Sequence, residues 1–280
     1  MPGEASTTER RLVITADDFG LTTEINRGIM EAFDAGALRS VSVMVGTPGF
    51  EDAAAHARRA APHLGVGLHL TLTLGRPLTA ARSLIDAHGV FVSPRQLAAR
   101  ALAGSVRGID VQNEVSAQLA RARAAGLRIT HLDGHHHAHA FPGIWPAVWR
   151  AARQARIPVV RRPVESFIRA PLRARRLPAR VALRLLARGA PVHEAPIPVG
   201  VFAGHSLLGA RRFQAGLLRF LEQLQPGVTE LMVHPGYVSG ALPGNDPYRR
   251  QREVELRALT SPMTLRALRT TVRLLHFGEL

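Results

Sequence analysis

One feature constrains this chain more than any other: short apolar runs recur along it, and most are followed by a stretch with helical spacing. Residues 11–16 read as a buried strand that runs into Asp17-Asp18-Phe19-Gly20. Residues 24–35 read as a helix, with Ile25, Ile29 and Phe33 on one face and Gly36 as its stop. A strand at 40–45 and a helix at 50–61, closed by Pro62, repeat the pattern. In the strand at 65–71, Val66, Leu68 and Leu70 alternate with Gly67, His69 and Thr71. A long excursion over 75–108 is expected to hold a helix at 94–103, and Asp110 to cap a helix over 111–125 that stops at Gly126. Beyond it come a strand at 128–132, a helix at 145–156, a strand at 157–161, a strand within 192–201 and a buried strand at 229–233. Ser261 and Pro262 open a last helix, expected to reach about His276. Alternating strands and helices imply parallel β/α units. About seven of them point to an α/β chain with a (β/α) barrel, one domain over residues 11–280 behind a flexible N-terminus at 1–10.

Composition narrows the chemistry. The chain has 280 residues, 46% of them apolar, which is enough for a sizeable core. No apolar run approaches the ~20 residues of a membrane span, and the polar N-terminus lacks an apolar signal core, so no transmembrane segment and a cytoplasmic location are expected. Cysteine is absent, which removes disulfides, thiolate nucleophiles and cysteine-based zinc sites. Lysine is absent as well, so all 36 basic residues are arginine and lysine Schiff-base chemistry is excluded. Any metal must therefore be held by histidine and carboxylate. The net charge of +15 invites a nucleic-acid-binding reading, but no recognition motif accompanies it, and no nucleic-acid partner is expected. Residues 161–188 carry nine arginines among Leu, Ala and Pro. They read either as an anion- or membrane-facing flap or, as favoured here, a solvated helical insertion around 161–190 whose arginine stems cover an apolar stripe.

Four strand ends share one layout, in which an apolar run meets a polar residue and then turns. Reacting groups of β/α barrels gather at the C-terminal ends of strands, so four distant segments can converge on one pocket. Asp17-Asp18 is either a capped turn or a pair of carboxylates that share a divalent cation, one binding the ion and the other taking a proton. His69 lies on the inward side of its strand and is either a hydrogen-bonded core residue or a ligand; Gly65 and Gly67 leave room beside it for one. His131-Leu132-Asp133-Gly134-His135-His136-His137-Ala138-His139 packs five histidines and an aspartate into nine residues, internal to the chain and directly after a buried strand. That placement favours metal or catalytic use over a surface cluster, with some of the histidines orienting neighbours or meeting substrate. His234, before Pro235-Gly236, is either an ordinary strand-end residue or a group able to protonate a leaving amine. Trp145, Trp149 and Phe141 are read as core residues first and sugar-stacking platforms second.

Taken together, Ala16-Asp17-Asp18-Phe19-Gly20-Leu21, Gly67-Leu68-His69, Leu72 to Thr79, Thr130-His131-Leu132-Asp133 with His135, His136, His137 and His139, Phe141-Pro142 and Val233-His234-Pro235 resemble the YdjC-like carbohydrate deacetylase family, in particular its chitooligosaccharide deacetylases. The resemblance runs from about Arg11 to His276, with little to match over 80–110 and 162–198. It implies an irregular barrel of the polysaccharide-deacetylase type and one divalent ion, Mg or Zn, on Asp18, His69 and His135. It further implies Asp17 as base and His234 as acid, with Asp133, His137, His139 and Phe141 meeting substrate or supporting the ligands. The implied reaction is removal of an N-acetyl group from an amino sugar or oligosaccharide by metal-activated water; a homodimer is compatible with it. Thr15 stands where many relatives carry asparagine, and the arginine-rich stretch is no family feature. A glycolipid-type substrate, or a phosphoesterase or glycosidase on the same barrel, are the alternatives.

Overall fold

The computed structural model describes residues 8–165 and 200–280. Its strands are β1 (Arg10–Phe19), β2 (Ser40–Val43), β3 (Gly65–Leu70), β4 (Ile129–Gly134), β5 (Val159–Val160), β6 (Val201–Ala203), β7 (Gly227–Val233) and β8 (Arg273–Leu275). They lie in one sheet of order β5-β4-β3-β2-β1-β7-β6, and every pairing is parallel. β8 joins β1 beside Arg11, Leu12 and Val13. The seven-strand path curls into an incompletely closed barrel. A single bridge between Glu165, just past β5, and Phe202 of β6 brings its two ends together.

β1 lies at the centre. It pairs with β7 along Arg10–Ala16 and, on its other side, first with β8 and then with β2. A strand covered on both faces reads as a continuous apolar run, and Leu12, Val13, Ile14 and Ala16 are all fully buried. The helices among the described residues are α1 (Thr23–Asp34), α2 (Phe50–Ala60), α3 (Pro94–Leu102), α4 (Gly108–Ala124), α5 (Trp145–Gln154), α6 (Phe213–Glu222), α7 (Arg250–Leu259) and α8 (Pro262–Thr271). α1 shows the local logic: the Thr22 hydroxyl accepts from the Ile25 amide, Ile25 and Ile29 are buried, and Gly36 ends the turn at φ +78°.

Two expectations need correction. Asp110 is not an N-cap. α4 begins before it, and its carboxylate accepts from the Ser83 amide at 2.8 Å. Glu114, fully buried one turn on, accepts from the amides of Leu78 and Thr79, so these acids tie down the excursion rather than cap their own helix. The last helix stops at Thr271, not near His276. Thr270-Thr271-Val272 is a β-branched run with weak helix preference, and the chain beyond it pairs with β1 as β8. Helices α6 and α7 were not foreseen. The strand expected within 192–201 and most of the arginine-rich stretch lie outside the described residues, although Val201 does open β6. No helix among the described residues is long and apolar enough to cross a membrane.

Candidate functional site

Successive side chains of a regular strand point to opposite faces. β1 departs from this at its end: the register against β2 slips between Ala16 and Phe19, and Asp18 sits at φ +64°, a conformation aspartate tolerates better than most residues. As a result Asp17 and Asp18 line the same cavity, of about 390 Å³, which opens at the C-terminal ends of the strands. His69 of β3, His135, His136 and His137 after β4, His205 after β6, His234 after β7, and Tyr248 and Arg252 complete much of its wall. The three consecutive histidines reach one cavity because His136 and His137 adopt φ of +54° and +55° in a tight 3-10 turn.

Asp18, His69 and His135 converge. One ligand atom from each lies within 4.8 Å of the others, and all three residues are buried. Asp18 Oδ1 is 3.1 Å from His135 Nδ1 and 3.4 Å from His69 Nε2. The other nitrogen of His69, Nδ1, is 2.8 Å from Asp133 Oδ1, to which it donates. A neutral His69 fixed this way turns the lone pair of Nε2 toward a carboxylate oxygen. Two facing acceptors need positive charge between them, as a proton or as a cation. The electrostatics agree: burial opposes charging His69, yet the Asp133 and Asp17 carboxylates push its pKa up to about 10. Burial likewise opposes ionisation of Asp18, but Arg252 and the two histidines hold it well below the usual carboxylate range. This donor set, one carboxylate oxygen and two imidazoles with one ring oriented by a second carboxylate, fits a divalent ion.

Asp17, His69 and Asp133 form a second geometrical group, but its two carboxylates already share a cation. Arg161, fully buried just past β5, binds Asp17 through both terminal nitrogens at 2.6 and 2.8 Å. It also reaches Asp133 at 2.7 Å and Glu230 of β7 at 2.8 Å. One guanidinium thus braces three strands. With three carboxylates around one cation, burial raises Glu230 to about 7 despite Arg161, whereas Asp133, also penalised by burial, is held low by Arg161 and His69. Ser42 of β2 donates to Asp133 Oδ2 at 2.6 Å.

His234 follows β7 with its amide donating to Glu255 Oε2 at 2.6 Å. Its Nδ1 is enclosed without a hydrogen-bond partner, and burial pushes its pKa down to about 4 against the pull of Asp18 and Asp17. The Tyr248 ring lies 5.5 Å from the His234 ring, and its hydroxyl donates to Glu255 Oε1. Helix α7 supplies both Glu255 and, one turn earlier, Arg252, whose Nη2 is 2.6 Å from Asp18 Oδ2. One helix therefore supports both Asp18 and the histidine across the cavity.

Of the residues singled out from the sequence, Asp17, Asp18, His69, His135, His137 and His234 line the cavity, and Asp133 lies directly behind His69. His139 does not line it; its Nε2 donates to the Arg161 carbonyl at 2.9 Å, steadying that arginine. Phe141 is buried, as are Trp145 and Trp149, whose rings stack 6.2 Å apart, and none of the three lines the cavity. The glycines near His69 do not make room for a ligand. A Cβ on Gly67 would lie 2.3 Å from His131 Nε2, and one on Gly65 2.6 Å from His276 Cβ, so the space belongs to those rings. Arg161, Glu230, Tyr248, Arg252 and Glu255 were not foreseen. Their one sequence signal was negative: charged residues in apolar or helical settings that look solvated.

Residues 11–270 match the YdjC-like protein family. A carbohydrate deacetylase of Geobacillus stearothermophilus is 36% identical over 257 residues, covering 90% of each chain. A carbohydrate deacetylase of Vibrio cholerae is 33% identical over 258 residues, covering 92% of this chain and 91% of the relative. Among solved structures, a candidate cellobiose-phosphate cleavage protein of Enterococcus faecalis shares the fold with a TM-score of 0.78 and 25% identity, covering 97% of this chain and 99% of that one. A match that spans the barrel from β1 to the end of α8, together with relatives above 30% identity over nine-tenths of the chain, places it: this protein is a member of the YdjC-like family.

Proposed function

We propose that this protein is a metal-dependent carbohydrate deacetylase that hydrolyses the N-acetyl group of an amino sugar or oligosaccharide to acetate and a free amine. The observation that carries the reading is the convergence of Asp18, His69 and His135 within 4.8 Å, backed by Asp133 and placed beside Asp17 in one cavity. The carbohydrate deacetylases among its relatives supply the substrate class.

Asp18, His69 and His135 would hold one divalent ion, which when bound polarises the acetyl carbonyl and acidifies water. Two imidazole donors favour a transition ion such as zinc over magnesium, which prefers oxygen ligands. The remaining work falls to the chain. Asp17 takes a proton from the attacking water; a carboxylate has about four lone-pair sites, so the fork of Arg161 leaves Asp17 able to accept while fixing its direction. His234 is neutral in the free site, because burial holds its pKa near 4. The proton it delivers to the departing nitrogen is therefore the one Asp17 removed, passed across the cavity both residues line. Water and amide thus give acetic acid and amine with no net proton gained or lost by the chain, and the acid then ionises to acetate. The test is acetate release from a panel of N-acetylated sugars and chitooligosaccharides, using chelator-stripped protein reloaded with Mg, Mn, Co or Zn. Release with none of them would overturn the metal requirement; no release at all would overturn the reading.

A further inference from the structure

His136 differs from the histidines on either side of it. His135 and His137 are buried, at 7% and 8% exposure, whereas His136 is exposed and yet lines the same cavity. Its position is fixed by several contacts. The backbone passes through φ +54°, and the side chain comes to lie against that of His135, with ring centroids 3.8 Å apart and planes tilted by 45°. Its Nδ1 is 2.9 Å from the hydroxyl of Thr73, a buried residue in the loop after β3. The ring is near enough to His135, Asp18, His69 and His234 to feel their charge, and all four line the cavity.

With Nδ1 committed to Thr73, Nε2 is the polar atom this ring has left. His136 belongs to none of the groups able to hold a metal among the described residues. A molecule entering the cavity meets an exposed ring whose orientation is already set by a buried hydroxyl and a neighbouring imidazole. The contact therefore needs no side chain to move.

The sugar offers the matching group. With the acetyl group at Asp18, His69 and His135, the ring hydroxyl next to the acetamido substituent comes closest to the imidazole packed on His135. A hydroxyl both donates and accepts, so it satisfies Nε2 in either tautomer. We infer that His136 is a specificity residue, whose Nε2 hydrogen-bonds the sugar hydroxyl vicinal to the acetamido group, and that Thr73 positions its ring; this rests on the deacetylase reading above. The site would then select an amido sugar with that hydroxyl free over one in which it is missing or substituted.

The test compares N,N′-diacetylchitobiose with its analogue lacking both 3-hydroxyls, on full-length protein saturated with zinc, with acetate release as the readout. Wild type is expected to lose ~10-fold in kcat/KM on the deoxy analogue, about the worth of one neutral hydrogen bond. His136→Asn keeps a residue that tolerates positive φ but is too short to place a polar atom where Nε2 lies. It should lose ~10-fold on the parent sugar and little further on the analogue, so that the discrimination disappears. Thr73→Val, close in shape and removed from the sugar, releases Nδ1 and should weaken the discrimination. Equal kcat/KM of wild type on the two sugars overturns the inference, whatever the variants do. So does a His136→Asn protein that discriminates as wild type does, even with reduced turnover, since His136 would then serve only the His135 ring. If His136→Asn fails to melt cooperatively, Thr73→Val decides, and wild-type discrimination in that variant overturns the inference. Absence of acetate release from the parent sugar by wild type strikes the deacetylase reading instead.

Discussion

Replacing Asp133 with asparagine separates the orientation of the His69 ring from the presence of the ring itself. Asp133 Oδ1 accepts from His69 Nδ1 at 2.8 Å, and Oδ2 accepts from Ser42 at 2.6 Å and from Arg161 at 2.7 Å. A carboxamide has one accepting end. The Arg161 cation repels an NH2 group, so the amide oxygen stays with Arg161 and the NH2 turns to His69. His69 Nδ1 must then accept, and the ring proton moves to Nε2, the atom that faces Asp18. That nitrogen no longer offers a lone pair to an ion. Loss of a supporting partner typically costs 10–100-fold in metal affinity. At an ion concentration of about 100 times the wild-type Kd, binding stabilises the wild-type fold by about 2.7 kcal/mol; a 30-fold weaker site retains about 0.9 kcal/mol. The difference of about 1.8 kcal/mol corresponds to about 4 °C for a domain of this size. The assay is the melting temperature of each protein with zinc and with chelator. The metal-dependent rise is the quantity compared, because it cancels whatever the substitution costs the Arg161 network directly. An equal rise in Asp133→Asn and wild type would refute the tautomer argument.

His234→Ala should bind zinc normally and lower kcat by about 10²–10⁴-fold, with a smaller deficit on an activated amide whose leaving amine needs less protonation; a folded, metal-loaded variant with near-wild-type turnover would remove His234 from the mechanism. Glu230, whose pKa rises from 4.5 to about 7 on burial, should make the metal-free protein less stable as pH climbs. Between those values the folded state binds more protons than the unfolded one, so stability falls from about pH 4.5 to about pH 7 and levels off above, by up to about 3 kcal/mol. Glu230→Gln should flatten that slope in thermal melts, and a wild-type-minus-variant difference independent of pH would contradict it. Gly67→Ala drives a methyl to 2.3 Å from His131 Nε2 and should cost at least the 1–3 kcal/mol typical of overpacking in denaturant melts of the metal-free protein; a neutral substitution would mean that the His131 ring yields freely.

The barrel and the strand-end motifs were legible because both leave local marks. Buried parallel strands such as β1 must be apolar on both faces, and the Asp17-Asp18 and histidine motifs interrupt or follow such runs. What joins the site laterally left no such mark. Arg161 opens a run of nine arginines and looks like part of a solvated insertion, yet it is the buried clamp on Asp17, Asp133 and Glu230. Arg252 and Glu255 lie three residues apart on α7, among Arg250, Gln251, Glu253 and Arg257, where periodicity marks no apolar face strongly enough to say which charges turn inward. Gly65 and Gly67 were read correctly as needing space and wrongly as to what fills it, since the rings of His131, on the neighbouring β4, and of His276, just after β8, come from positions far away in sequence. The left-handed turns at Asp18, His136 and His137 were equally invisible, and they are what lets consecutive residues share one cavity.

The most direct test of the account is a titration of chelator-stripped protein with zinc, following acetate and free amine released from an N-acetylated oligosaccharide. No release is expected without the ion; on loading, acetate and amine should appear in equal amounts and reach a plateau at one ion per chain that Asp18→Asn abolishes. Full turnover by the metal-free protein, or a plateau unaffected by Asp18→Asn, would contradict it.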